Sequence, residues 1–299
     1  MKEALRVMYT VGFIGLGNMG LPMAINILKK SKAPVLGADV IPASLKKFEA
    51  AGGTPAKDND EIIAKCNLIF LSLPRNEIVD SVCRAIIAAK ESGTIIVDTS
   101  STAPSVIRSL YALAKEKGIG LLDAPVSGGV SGAEQGTLAV MAGGDRNVFD
   151  AVRPYLAYMG STVTYMGGSG CGDVAKLANN MIVGIHLVAM AEAFAFAKKA
   201  GLDPTTLYEA IKGGFAQSAV LDAKAMKMIH RDFSASARIA VHYKDIKNAK
   251  NLANEMEVPV PATDLVLEYM RRMDEAGLIN EDQCALVKVP EKDMGVVVE

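Results

Sequence analysis

The sequence predicts an α/β fold: a doubly wound, largely parallel sheet over residues 1–165, then an all-α domain over 166–299. Three observations predict it. Short apolar or β-branched runs alternate with helical stretches through the first half, as βαβ units do. A glycine-rich joint, Gly167-Gly168-Ser169-Gly170-Cys171-Gly172, ends that alternation. After it the strand pattern stops, and a long helical stretch over 173–200 joins the two parts.

The elements follow in order. Strands are predicted at 11–14, 35–38, 68–73, 94–97, 120–123, 138–141 and 163–165, with helices at 19–30, 44–51, 78–91, 105–117 and 150–159. The run Leu68-Ile69-Phe70-Leu71-Ser72-Leu73 is nearly all apolar, as a strand covered on both faces should be. At 1.5 Å per residue the stretch over 173–200 spans about 42 Å as a helix. Residues 181–197 are almost wholly apolar, but His186 and Glu192 interrupt them, so the stretch reads as a buried central helix and not a membrane span. Further helices are predicted at 204–213, 218–230, 243–257, 263–276 and from 281 onward.

Composition removes several classes of function. Lys plus Arg is 32 and Asp plus Glu is 33, a net charge of −1, which gives no electrostatic footprint for nucleic acid or an anionic membrane. Trp is absent and aromatics are 5%, too few for base-stacking platforms. Cys66, Cys83, Cys171 and Cys284 form no CxxC pair and lie far from the three histidines, so no metal site is expected. Isolated thiols suit a reducing, cytoplasmic setting, with Cys66 read as a small core residue. Residues 1–16 carry basic and apolar side chains, but Glu3 interrupts them and the run ends in a glycine-rich turn, unlike a secretory leader.

Gly15-Leu16-Gly17-Asn18-Met19-Gly20 is G-x-G-x-x-G. It follows a predicted strand, opens a predicted helix, and has Asp39 at the end of the next strand. That context makes it a dinucleotide-binding fingerprint. The first glycine makes the turn, the second admits the pyrophosphate, and the third lets helix pack on strand. A carboxylate at Asp39 accepts from the ribose hydroxyls of NAD and repels the 2′-phosphate of NADP. Val40 follows it, with no adjacent Arg to receive that phosphate.

A second cluster is Asp123-Ala124-Pro125-Val126-Ser127-Gly128-Gly129. The paired glycines free backbone N–H groups to face an anion, Ser127 adds a hydroxyl, and a small carboxylate substrate fits there; a plain flexible loop has the same spacing. Lys176 and Asn180 stand at i and i+4 on one helix face. A lysine on so apolar a helix suits a general acid/base, or it is a snorkelling side chain near the helix start. His242-Tyr243-Lys244-Asp245 opens a later helix, where Lys244 can reach the cofactor and Asp245 can orient a neighbouring side chain or cap the helix. His186 lies about 80° from the Lys176 face and is read as a core histidine, His230 as surface. His242 stays open as a substrate contact.

In order and spacing, residues 15–23, 123–136, 168–180 and 244–249 resemble the β-hydroxyacid dehydrogenases (the 3-hydroxyisobutyrate dehydrogenase-like family) over essentially the whole chain. The resemblance implies a Rossmann-type NAD-binding domain, an all-helical C-terminal domain and a homodimer or homotetramer. It implies that Lys176 is catalytic, that Ser127, Gly128, Gly129 and Asn180 bind substrate, and that Leu73, Pro74, Ser101 and Lys244 contact the cofactor, NAD rather than NADP. Residues 210–225, then Arg238-Ile239 and 242–245, resemble the tartronate semialdehyde (2-hydroxy-3-oxopropionate) reductases within it. The implied reaction is reduction of that semialdehyde to glycerate. Sister activities on 3-hydroxyisobutyrate or 2-(hydroxymethyl)glutarate are the alternatives. A non-catalytic cofactor-binding module or an imine reductase typically lacks the lysine that stands here at 176. Two residues depart from the pattern: Val40, where an Arg is often found, and Pro290, where an aromatic is common and where the last helix is expected to break or kink.

Overall fold

The computed structural model describes residues 9–299; residues 1–8, the first part of the 1–16 stretch, lie outside them. The chain divides into two compact units, one ending at Lys176 and one spanning Leu177–Glu299.

In the first unit the chain runs β1 (Val11–Ile14), α1 (Gly20–Ser31), β2 (Val35–Ala38), α2 (Pro42–Ala50), β3 (Thr54–Pro55), α3 (Asn59–Lys65), β4 (Leu68–Leu71), α4 (Asn76–Ala89), β5 (Ile95–Asp98), α5 (Pro104–Glu116), β6 (Gly120–Asp123), β7 (Val126–Ser127), α6 (Gly129–Gln135), β8 (Leu138–Gly144), α7 (Arg146–Met159) and β9 (Gly160–Gly167). The sheet order is β3-β2-β1-β4-β5-β6-β8-β7, with β9 beside β8. Strands β1 to β6 pair in parallel. The chain therefore winds one way from β1 to β3 and the other way from β4 to β6. The crevice where winding reverses, at the carboxyl ends of β1 and β4, is where such sheets receive ligands.

Alternate side chains of each strand feed opposite faces. Val11, Phe13, Leu68, Phe70, Val97 and Leu122 pack with Met23 and Ile27 of α1 and with Phe149 and Leu156 of α7. Ile14, Ile69, Leu71, Ile96 and Leu121 pack with Ile62 of α3, Val79 of α4 and Ile107 of α5. Phe13 and Phe70 stack at 5.8 Å between centroids. Each such side chain contributes about 1.5–3 kcal/mol on burial. Two covered faces explain why the strands are apolar throughout.

Some elements depart from the sequence prediction. The short pieces β3, α3, β7 and α6 were not predicted. Helix α3 is masked by its charged start, where Asp58 accepts from the Glu61 N–H at 2.9 Å as an N-cap. Strand β8 is antiparallel to β6 and β7, and β9 spans eight residues beside β8 in parallel.

Helix α8 (Cys171–Lys199) passes from the first unit into the second, starting two residues before the predicted 173. Length and composition alone would let it cross a membrane. Its Leu187, Val188, Ala191, Phe194 and Ala195 instead fill the helical core of the second unit, with Leu221, Met228, Ile246, Val266, Met270 and Leu286. Those partners come from α10 (Ala219–Ile229), α11 (Ile239–Glu255), α12 (Pro261–Glu275) and a 3-10 turn at Gln283–Val287. Helices α9 (Pro204–Ile211) and α13 (Lys288–Met294) complete the unit. Pro290 is the third residue of α13, in the first turn, where its missing N–H leaves no helical bond unmade. The break expected there falls ahead of the proline, where the 3-10 turn meets α13.

A polar clamp crosses this core. Asp282 is fully buried, and its carboxylate accepts from Lys224 Nζ at 2.8 and 3.0 Å, Ser236 Oγ at 2.7 Å, and the N–H groups of Ser236, Ala237 and Cys284 at 3.0–3.1 Å. It fixes the segment that leads through Arg238 into α11.

Candidate active site

The turn from β1 to α1 separates the work of its three glycines. Gly15 takes φ +95°, and a Cβ there would be driven into the Ser72 carbonyl oxygen after β4. A Cβ on Gly20 would be driven into the Gly15 carbonyl oxygen and would reach Phe13 at 3.1 Å. A Cβ on Gly17 would meet nothing within 4 Å. Packing thus accounts for Gly15 and Gly20. At Gly17 the backbone is bare towards open space beside the start of α1, where unpaired N–H groups and the helix dipole favour a phosphate. Leu16 is buried, whereas Gly17 and Asn18 are exposed. These residues fit a dinucleotide.

Asp39 stands half-buried after β2. Its Oδ2 accepts from the Leu16 N–H at 2.6 Å and its Oδ1 from the Ile41 N–H at 2.7 Å. The carboxylate therefore steadies the Gly15–Gly20 turn. Val40 is 97% exposed, leaving the position beside Asp39 without a cation.

Leu73 and Pro74 follow β4, and Ser101 follows β5, so all three reach the carboxyl edge that carries the Gly15–Gly20 turn. The Leu73 N–H donates to Ser100 Oγ at 2.8 Å. Ser127 ends β7, half-buried, and Gly128 and Gly129 are exposed after it. A Cβ on Gly129 would meet no atom within 4 Å, so this backbone too is open to an incoming group.

Lys176 lies in the second turn of α8, half-buried. The first turn is fastened to β6. Asp123 accepts from the Gly170 N–H at 2.8 Å and from the Asp173 N–H at 3.0 Å. Burial pushes the Asp123 carboxyl up to about 6, against the pull of these N–H groups. Sequence reasoning placed Asp123 at the head of its run and gave it no role. The available signal was an acidic residue closing an otherwise apolar strand.

Within the second unit, Asn180 donates from Nδ2 to Asp245 Oδ2 at 2.7 Å and accepts at Oδ1 from Asn179 at 2.9 Å. Asp245 is buried and pairs with Lys244 at 3.1 Å. One carboxylate thereby joins Asn180 to Lys244. His242 is buried, with Nε2 held at 2.8 Å by the Asn180 carbonyl oxygen, which commits that nitrogen to the helix. His186 is exposed on α8 and is not the core histidine expected, because Leu187 and Val188 beside it take the buried face. His230 is on the surface.

Sheet order and the Gly15–Gly20 turn define a dinucleotide-binding protein of the doubly wound α/β class. Comparison with known proteins narrows that class. Residues 10–167 match the family model of the NAD binding domain of 6-phosphogluconate dehydrogenase, and residues 170–290 match that of the NAD-binding domain of NADP-dependent 3-hydroxyisobutyrate dehydrogenase. The chain is 37% identical over 292 residues to 2-(hydroxymethyl)glutarate dehydrogenase of Eubacterium barkeri, covering 96% of this chain and 97% of that one. It is 35% identical over 284 residues to 2-hydroxy-3-oxopropionate reductase of Escherichia coli, covering 94% and 97%. Among solved structures, 3-hydroxyisobutyrate dehydrogenase of Mycobacterium tuberculosis with L-serine superimposes with a TM-score of 0.86 at 30% identity, covering 95% of this chain and 99% of that one. The chain belongs to the β-hydroxyacid dehydrogenase family, whose reaction class is NAD-dependent oxidation or reduction at a CH–OH carbon.

Proposed function

We propose that the protein interconverts tartronate semialdehyde (2-hydroxy-3-oxopropionate) and glycerate with NAD(H), with Lys176 as the acid/base. The observation that carries the catalytic reading is the fastening of α8 to the end of β6, which sets Lys176 one turn beyond the carboxylate of Asp123. For the substrate, the support is residues 210–225, which resemble the tartronate semialdehyde reductases, together with the 35% identical reductase.

When bound, the nicotinamide supplies or accepts hydride. The chain's own residues do the rest. Backbone N–H groups at Ser127, Gly128 and Gly129 take the substrate carboxylate. Lys176 hydrogen-bonds the carbonyl oxygen and gives it a proton as charge develops there. Asn180, its amide set by Asp245 and Asn179, holds the same oxygen region. Gly15 to Gly20, Asp39, Leu73, Pro74, Ser101 and Lys244 hold the cofactor. General acid help is worth about 10²–10⁴-fold.

The exposed Ile182, Ala189, Ala193 and Phe196 form one stripe along α8, which supports assembly as a homodimer or homotetramer. Four free cysteines support a cytoplasmic setting.

The experiment is NADH consumption against a panel of small semialdehyde acids, with NAD reduction on the matching hydroxyacids. Tartronate semialdehyde is expected to have the highest specificity constant. A higher constant for the 2-(hydroxymethyl)glutarate pair would transfer the assignment to that reading, which the 37% identical relative favours. Lys176→Ala is expected to lower kcat by at least about 10²-fold with NADH affinity unchanged. Lys176→Arg is not expected to restore it, since guanidinium keeps its proton. Near-normal turnover by Lys176→Ala would end the catalytic assignment.

A further inference from the structure

We propose that Asp123 is a positioning residue for Lys176: its buried carboxylate anchors the first turn of α8 and so sets where the lysine ammonium meets the substrate oxygen. The inference rests on the reading of Lys176 as proton donor and deepens it.

Asp123 closes β6 and is fully buried. Its two oxygens are divided between the Gly170 N–H at 2.8 Å and the Asp173 N–H at 3.0 Å, and the Gly172 N–H also bonds to it. These are the groups that a helix start leaves unpaired, at the positive end of its dipole. The carboxylate thus fills, from within the chain, the place an anion takes at a helix start. Room is made for it on both sides. A Cβ on Gly172 would stand 2.9 Å from Asp123 Oδ2, and a Cβ on Gly143 would stand 2.8 Å from either oxygen.

The same turn is gripped a second time. Asp173 Oδ1 accepts from the Thr102 N–H at 3.2 Å, and Thr102 Oγ1 donates to Asp98 Oδ2 at 2.6 Å at the end of β5. Thr102 follows Ser101, on the cofactor side of the sheet. Asp123 also begins the run that reaches Ser127 to Gly129. One residue therefore starts the loop proposed for the substrate carboxylate and holds the helix proposed for the proton donor.

A buried carboxylate with its pKa raised by desolvation is an unfavourable choice for folding alone. An apolar residue closing β6 would avoid that penalty and would leave three N–H groups unheld. Loss of the anchor lets the first turn of α8 relax. A misplacement of about 1 Å lowers turnover on the order of 10²-fold.

The test is a double-mutant cycle of Asp123→Asn, Lys176→Ala and the pair, reading kcat at saturating substrate, the NADH dissociation constant and the melting temperature. Asn keeps the shape but turns an NH₂ towards one of the N–H donors. Asp123→Asn alone is expected to lower kcat by about 10–100-fold with NADH affinity within about twofold. In the Lys176→Ala background it is expected to change the residual kcat by less than about twofold, because the group it positions is gone. An equal loss in both backgrounds, or unchanged kcat in the single variant, overturns the proposal. Near-normal turnover by Lys176→Ala alone instead overturns the reading of Lys176. Should Asp123→Asn not fold, Gly170→Ala enters the same cycle. It keeps the carboxylate, strains the backbone that delivers one donor, at φ +83°, and sets a Cβ 2.9 Å from the end of the flexible Arg108 side chain. The same outcomes then decide.

Discussion

Asp123 and Asp282 are both fully buried aspartates that gather the N–H groups of a neighbouring turn, and their carboxyls shift in opposite directions. At both, burial pushes the value up. At Asp123 only backbone N–H groups oppose it, and the carboxyl stays at about 6. At Asp282 the Lys224 ammonium, the Ser236 hydroxyl and backbone N–H groups, among them those of Ala237 and Cys284, outweigh burial and hold the carboxyl far below its usual range. Hydrogen bonds from neutral donors orient a buried charge; a buried counter-charge is what makes it stable. The helical unit uses its aspartate to hold itself together. The sheet unit keeps one that folding disfavours, at the root of the lysine helix.

Removing the counter-charge is the strongest way to break this contrast. Lys224→Met leaves Asp282 buried without its cation and is expected to destabilise the protein by about 3–5 kcal/mol in denaturant unfolding at neutral pH. A loss under about 1 kcal/mol would show that the ion pair is not what supports Asp282.

The pH dependence of stability sharpens the contrast further. The folded pKa of Asp123, about 6, stands above its ordinary value of 3.8. Its favourable contribution is therefore complete below about pH 4 and is lost as pH rises through about 6, amounting to about 3 kcal/mol. Asp282 has the opposite sign: its stabilisation is present above the ordinary carboxylate range and is lost only in strong acid. Against wild type, Asp123→Asn is expected to gain relative stability between pH 4 and pH 7. If the stability difference between the two proteins is flat across that window, the carboxyl is not shifted as described.

Asp39 is a third aspartate that accepts two backbone N–H groups, but it is half-exposed. Water screens its charge, so its replacement should act on ligand choice and little on folding. Asp39→Ala with Val40→Arg is expected to shift the ratio of specificity constants towards NADPH by about 10–100-fold, or about 1.4–2.7 kcal/mol. The melting temperature should move by only a few degrees. An unmodified enzyme that already prefers NADPH would contradict the role given to the end of β2.

The ease of reading each aspartate from the sequence followed its range. Asp39 stands a fixed distance from a glycine pattern, and the physics of that pattern is local, so its place was legible. The strands of the parallel sheet were legible for the same reason, since both faces are covered and the runs are apolar throughout. Asp123 meets its partners 47 and 50 residues away, and Asp282 meets Lys224 58 residues away. No periodicity marks such pairs. Helix α6 was hidden because a segment that begins and ends with glycine, Gly129 to Gly136, reads as a loop. His186 was misplaced because α8 is apolar nearly all round, and composition does not tell its buried face from the exposed stripe of Ile182 and Phe196.

Gly17 has a consequence for inheritance. Folding enforces glycine at 15 and 20, where a side chain would be driven into backbone, and is indifferent at 17, where a methyl group would touch nothing. A lineage that ceased to need the dinucleotide would keep the outer two glycines for as long as it kept the sheet. The middle one would drift first. Residue 17 is thus the letter of the fingerprint that records use, while its neighbours record ancestry.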